Sequence, residues 1–180
     1  LFSSRFHADK WPAIWKVWQC VEQCMMQSNT VHMLWIGLDL GKESEQLRAL
    51  IKKSKFRGQH HTLPFQSRTQ LSMYYQSADI ILFPQASISC QEAMGTGAYV
   101  YTIADPALNH LKTMYKRLLL VDVEDWGRYL NTLIESDELL DYDARLACAH
   151  DVHNHLSYPY LVQEAFKQLA LNLSNTRHFE

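Results

Sequence analysis

The sequence predicts an α/β fold, a Rossmann-like doubly wound parallel sheet of about six strands with a helical carboxy-terminal tail. Three observations carry this. Short apolar runs alternate with longer segments whose apolar residues recur every three to four positions, the pattern of strands joined by crossover helices. The stretch from Asp79 to Tyr101 reads as a complete strand, loop, helix and strand. In it Ile80 to Phe83 is closed by Pro84, Ser87 and Ser89 are hydroxyls of the kind that cap a helix, Cys90 to Met94 has helical character up to Gly95 and Gly97, and Ala98 to Ile103 resumes the sheet. Finally, 180 residues that are 47% hydrophobic suffice for one buried core, so residues 1–180 are expected to form a single domain.

In chain order, the first strand is Leu1-Phe2, and its abrupt start suggests a chain cut from something longer. Ser3 to Lys10 is a polar loop. Trp11-Pro12 places proline in a helix's first turn, and Ile14, Val17, Trp18, Val21, Cys24 and Met25 recur at helical spacing up to Asn29. Trp11, Trp15 and Trp18 share that spacing and read mostly as core. Val31 to Ile36 is a buried strand ending at Gly37. A more polar helix, Glu43 to Phe56, shows one stripe of Leu47, Leu50 and Ile51, and the strand His60 to Phe65 follows. Period two puts His60 and His61 on opposite faces. Ser67 to Gln76 is a helix holding Leu71, Tyr74 and Tyr75. After the central unit, Ala104 to Arg117 mixes loop signals at Pro106 and Asn109 with one or two helical turns from His110 to Met114. Leu118 to Val121 is a sixth strand. Trp126 to Ile134, Glu138 to His153 and Tyr160 to Leu173 are helical, ahead of a polar tail.

Composition excludes several function classes. Lysine and arginine number 17 against 19 acidic residues, so nothing favours broad attraction to nucleic acid or anionic membrane, and any phosphate recognition must be local. No apolar run reaches the roughly 18 residues of a membrane span, and Leu1-Phe2-Ser3-Ser4 lacks the basic start of a signal peptide. Cys20, Cys24, Cys90 and Cys148 do not form the close pairs of structural zinc, and reduced cytosolic thiols are expected, with Cys20 and Cys24 on a helix's buried face. His150, His153 and His155 with Asp151 have a metal-like composition, but ligands spread over two spacings at a helix end rarely converge. No Ser-His-Asp nucleophile signature and no Walker-type glycine loop is present.

Five segments point further. They are Arg5 and Lys10 in SSRFHADKW, the Val31 to Gly37 strand, LSMYYQSADIILFP, Glu92-Ala93-Met94-Gly95-Thr96-Gly97, and the late LSYPYLVQEAFKQL. Together they resemble the carboxy-terminal, nucleotide-sugar-binding domain of GT-B-fold glycosyltransferases of the retaining group called group one, one half of a GT-B fold. The resemblance implies a donor-binding domain that moves a sugar from a nucleoside diphosphate sugar to an unknown acceptor. The amino-terminal acceptor domain is absent from this chain, so the fragment by itself is expected to be inactive. It implies a cytoplasmic protein without a transmembrane segment, with any attachment to the inner face of a membrane made through the missing domain. It also implies no cofactor, no metal and no nucleic-acid partner.

By the same resemblance, Arg5 and Lys10 stabilise the leaving diphosphate, one gripping two oxygens and the other supplying a compact charge. The backbone N–H groups near Ile88 and Ser89, with Ser87, form the phosphate and sugar loop. Glu92 accepts from the ribose hydroxyls, and Phe65, Gln66 and Arg68 lie against the base. The alternatives are solvated cations at a helix start for Arg5 and Lys10, an exposed first-turn carboxylate for Glu92 and a core side chain for Phe65. Two departures stand out. Pro84 occupies the place of the first of the family's two glutamates, leaving sugar contacts to Gln85, Ser87, Ser89 or backbone amides, and Ala104-Asp105-Pro106 lacks the family's glycine pair. A degenerate, non-catalytic module of this family and a sugar-nucleotide epimerase of GT-B fold are the competing functions.

Overall fold

The apolar runs become strands because a parallel sheet is stable only when both faces are covered. In the computed structural model, which describes residues 1–85, 87–157 and Lys167, six strands pair in parallel. They are β1 (Phe2–Ser3), β2 (Met33–Ile36), β3 (His60–Leu63), β4 (Ile80–Phe83), β5 (Tyr99–Thr102) and β6 (Leu118–Leu120), in the order β3-β2-β1-β4-β5-β6. Their side chains alternate between two cores. Leu82, Tyr99 and Tyr101 meet α1 (Trp11–Gln27), α2 (Lys42–Lys53) and α6 (Trp126–Glu135), while Ile81, Phe83 and Val100 meet α3 (Arg68–Ser77), α4 (Ile88–Met94), α5 (Asn109–Met114) and α7 (Tyr142–Leu156). The expected doubly wound sheet is therefore present.

Local chemistry sets the ends of these elements. All six residues of the expected stripe on α1 are buried, and Pro12 sits in its first turn, where a missing N–H costs nothing. Ser67 accepts from Gln70 N–H while the Gln70 side chain accepts from Ser67 N–H, a reciprocal cap that places Arg68 at the first position of α3. Gly97 ends the turn after α4 at φ +74°, and a Cβ there would lie 2.1 Å from the carbonyl oxygen of Arg145 on α7.

Several boundaries differ from expectation. β3 stops at Leu63 rather than Phe65, because Pro64 has no N–H to continue the ladder and Phe65 N–H turns to Asp39 Oδ1. The helix expected from Cys90 begins at Ile88. The helix expected from Glu138 begins at Tyr142, where Asp141 accepts from Ala144 N–H, after a 3-10 turn at Asp137–Leu140. Of the three tryptophans on α1 only Trp18 lies in the core; Trp15 is exposed and Trp11 half-buried, flanking a shallow apolar surface shared with Leu50. Residues 104–117 contain a 3-10 turn, Pro106–Leu108, and α5. The expected helix from Tyr160 to Leu173 lies outside the described residues.

This topology makes one crevice. The chain runs from β1 outward to β2 and β3, then returns to β4 on the other side of β1, so the winding reverses between β1 and β4. The chain leaving β1 leads to α1 on one face of the sheet and that leaving β4 to α4 on the other, and open α/β sheets bind ligands at the gap such a reversal leaves.

Candidate binding crevice at the strand reversal

The crevice is built from the loop after β1 and the loop after β4. Gly37, at the end of β2, adopts φ +103°, and a Cβ there would lie 2.0 Å from the Ser4 carbonyl oxygen. Only glycine permits that approach. It lets the β1 loop pass over β2 and carries the Arg5 guanidinium to 5.5 Å above the exposed Phe65 ring. Lys10 Nζ reaches back to donate to Ser4 Oγ at 3.3 Å. Arg5, Lys10, Phe65, Gln66, Ser87 and Ser89 all line one hollow of about 290 Å³ at the strand reversal. Two cations, two hydroxyls and an aromatic face thus converge from three loops. A neighbouring hollow of about 340 Å³ shares Lys10 and Gln85 and extends along α1 to Lys16 and Glu124.

Ser87 occupies the N-cap position of α4 in extended conformation, yet its side chain makes no capping bond and lies 3.7 Å from Cys90 Sγ. Its partner in the helix is that thiol, a weak hydrogen-bonding group. The Ile88 side chain is 75% exposed and does not line the hollow, so only its backbone N–H could serve there. First-turn N–H groups lack intrahelical acceptors in any α-helix.

A second hollow, about 250 Å³, lies between α3 and α4 and is lined by Arg68, Ser72, Tyr75 and Glu92. Arg68 Nη2 and Glu92 Oε1 form an ion pair of 2.6 Å, the arginine largely exposed and the carboxylate partly so. Burial pushes the Tyr75 phenol up to about 12, so it is a neutral donor at ordinary pH.

Apart from Ile88, the residues singled out in the sequence fall in two hollows, with Arg68 moved from the side of Phe65 to the side of Glu92. Phe65 is a surface aromatic and not a core residue. Tyr75 and the serines after β1 gave no chemical signal in the sequence: the tyrosine lies on an apolar stripe that reads as core, and a serine after a strand reads as a turn. Away from the crevice, His60 and His61 point to opposite faces as period two requires. His150 contacts Asn154 and His155 contacts the Asp151 carbonyl, and among the described residues no three histidine, cysteine or acidic side chains come together as a metal site. No helix of the described residues is long and apolar enough to cross a membrane.

Comparisons with known proteins bear on the whole chain. A family model described as "Glycosyl transferases group 1" matches residues 16–146, a span that includes Glu92 and begins after Lys10. No curated protein matches. Among solved structures, sucrose-phosphate synthase from Thermosynechococcus elongatus is 17% identical with a TM-score of 0.65, over 95% of this chain and 45% of that one. The pneumococcal O-GlcNAc transferase GtfA, solved with UDP and GlcNAc, is 14% identical with a TM-score of 0.68, over 98% of this chain and 35% of that one. A putative UDP-N-acetylglucosamine 2-epimerase from Listeria monocytogenes is 11% identical with a TM-score of 0.64, over 93% of this chain and 45% of that one. At such identities the likeness concerns the fold alone, and this chain spans less than half the length of each.

Proposed function

The chain belongs to the group 1 glycosyl transferases, and from that premise we propose that it binds the nucleoside diphosphate part of a sugar nucleotide in the crevice between β1 and β4. The observation that carries the reading is the convergence of Arg5, Lys10, Ser87 and Ser89 on one hollow at the strand reversal, beside a second hollow that holds Glu92.

Breaking the bond between sugar and diphosphate builds negative charge on the leaving oxygen, and donors fixed at that oxygen lower the barrier. Arg5 offers a planar fork for two phosphate oxygens and Lys10 a mobile point charge. The Ser87 and Ser89 hydroxyls and the N–H groups of Ile88 and Ser89 add neutral donors. No metal has a role in this arrangement, because the cations neutralise the diphosphate. Glu92 accepts from both ribose hydroxyls, which requires Arg68 to give up part of its hold on the carboxylate. An exposed pair of that kind is worth about 0–1 kcal/mol, so it yields readily. Phe65 supplies a flat apolar face for the base, with Gln66 beside it.

The sugar itself meets Pro84 where the family has a carboxylate, so Gln85, Ser87 and Ser89 hold its hydroxyls. Acceptor groups come from a further domain of a longer protein, which is cytoplasmic and meets any membrane through that domain. Pro84 also favours a second reading, a group 1 domain that binds nucleotide without transferring sugar. Calorimetric titration of the chain with UDP, GDP, ADP and CDP, with and without EDTA, tests the shared part of both readings. Binding of one diphosphate, undiminished by EDTA and weakened by salt, is expected; no binding of any of the four overturns it.

A further inference from the structure

Tyr75 carries a buried polar atom that the packing leaves unanswered. The residue is 1% exposed, its ring meets Phe83 edge-on with centroids 6.0 Å apart, and its hydroxyl has no hydrogen-bond partner among the described residues. The Ser3 and Ser89 hydroxyls lie around it but outside hydrogen-bond geometry, with Glu92 and Cys90. Ser3 and Ser89 line the hollow of Arg5 and Lys10, whereas Tyr75 lines the hollow of Glu92 and Arg68. The hydroxyl therefore stands in the wall between them.

An orphaned buried hydroxyl weakens a fold, and phenylalanine would pack the same ring without it. Its presence calls for a partner that ligand binding brings into position. Resting on the nucleoside diphosphate reading above, we propose that Tyr75 is a positioning residue of that site, donating to Ser89 Oγ when Ser89 turns its own proton toward a phosphate oxygen. A serine hydroxyl has one proton to give and two lone pairs to accept with, so it can do both at once. Bound diphosphate then completes a chain of donors from Tyr75 through Ser89, each bond polarising the next. No proton leaves any residue. The chain orients the neutral hydroxyl that sits among the cations and ties the ribose side of the crevice to its phosphate side.

The test compares Tyr75→Phe, Ser89→Ala and the double variant with wild type, by thermal unfolding without ligand and by calorimetry with UDP, GDP, ADP, CDP and the four nucleosides. Tyr75→Phe is expected to leave the unliganded midpoint unchanged or raised, to weaken the bound diphosphate about five- to tenfold, and to leave its nucleoside unaffected. In the Ser89→Ala background the same change should cost nothing further. A lowered unliganded midpoint would show that the hydroxyl serves the fold and overturns the inference. Undiminished diphosphate binding by Tyr75→Phe, or losses that simply add in the double variant, overturns it while leaving the donor site standing. Failure of wild type to bind any diphosphate removes the site and the inference together.

Discussion

Arg5 and Lys10 sit at the mouth of the crevice for different reasons: Arg5 is held over Phe65 by the passage of its loop across Gly37, and Lys10 is drawn in by Ser4. Each charge-assisted contact to a phosphate is worth roughly 1.5–3 kcal/mol. Arg5→Ala and Lys10→Ala should therefore each weaken diphosphate binding by about tenfold or more while leaving the nucleoside unaffected; equal binding in calorimetry would mark both as ordinary surface cations. Glu92 invites a sharper comparison. Glu92→Gln keeps the shape but loses the charge that, on the function proposed above, accepts two ribose hydroxyls, so a ribonucleoside diphosphate should bind more weakly and its 2′,3′-dideoxy analogue hardly differently. Equal losses for the two ligands would place the carboxylate away from the ribose.

Elements are held to one another by polar side chains that pattern reading passed over. His60 on β3 is stacked on Trp18 of α1, accepts at Nδ1 from the Trp35 indole N–H of β2, and donates from Nε2 to Glu22 of α1, which also accepts from Ser54 Oγ. Indole only donates, so Nδ1 must stay unprotonated to hold Trp35. Burial lowers the His60 pKa below 6.5, with Glu22 opposing in part. A lowered folded value means that the unfolded chain takes up the proton first. The stability is thus fully present above about pH 6.5 and is lost as pH falls through the folded pKa. Thermal midpoints of wild type and His60→Gln measured from pH 7.5 to 5 should converge toward the acid end; parallel curves would show that His60 does not contribute. Arg145 on α7 does comparable work on the other face, donating to the carbonyls of Thr96, Gln76 and Ala78. Arg145→Ala leaves those acceptors without their donor and should cost about 2–3 kcal/mol in urea unfolding; a loss below about 0.5 kcal/mol would mean that water replaces it freely.

At the scale of the molecule, the hollow at the strand reversal is lined by residues of the loops after β1, β3 and β4. Transfer needs water excluded and an acceptor held in line. Residues 1–180 alone are accordingly expected to bind nucleotide yet glycosylate no acceptor, and acceptor-dependent product formation by this chain in a radiolabelled donor assay would contradict that. Alternating apolar runs and helical stripes sufficed by themselves for the doubly wound sheet, because burial on two faces leaves its period in the chain whatever the partners are. The stripe on α1 and the strand ending at Pro84 are local matters of that kind. The motifs around Arg5, Lys10 and Glu92 were legible too, as members of a family pattern. What required tertiary structure was which of them meet. Strand order decides that the loops after β1 and β4 face one another although about eighty residues separate them, and packing decides that Trp15 is exposed, that Arg68 turns to Glu92 and that the Tyr75 hydroxyl has no partner among the described residues. Periodicity states which face of an element is apolar, whereas contacts between side chains distant in sequence depend on how the elements are laid side by side, and no local pattern encodes that.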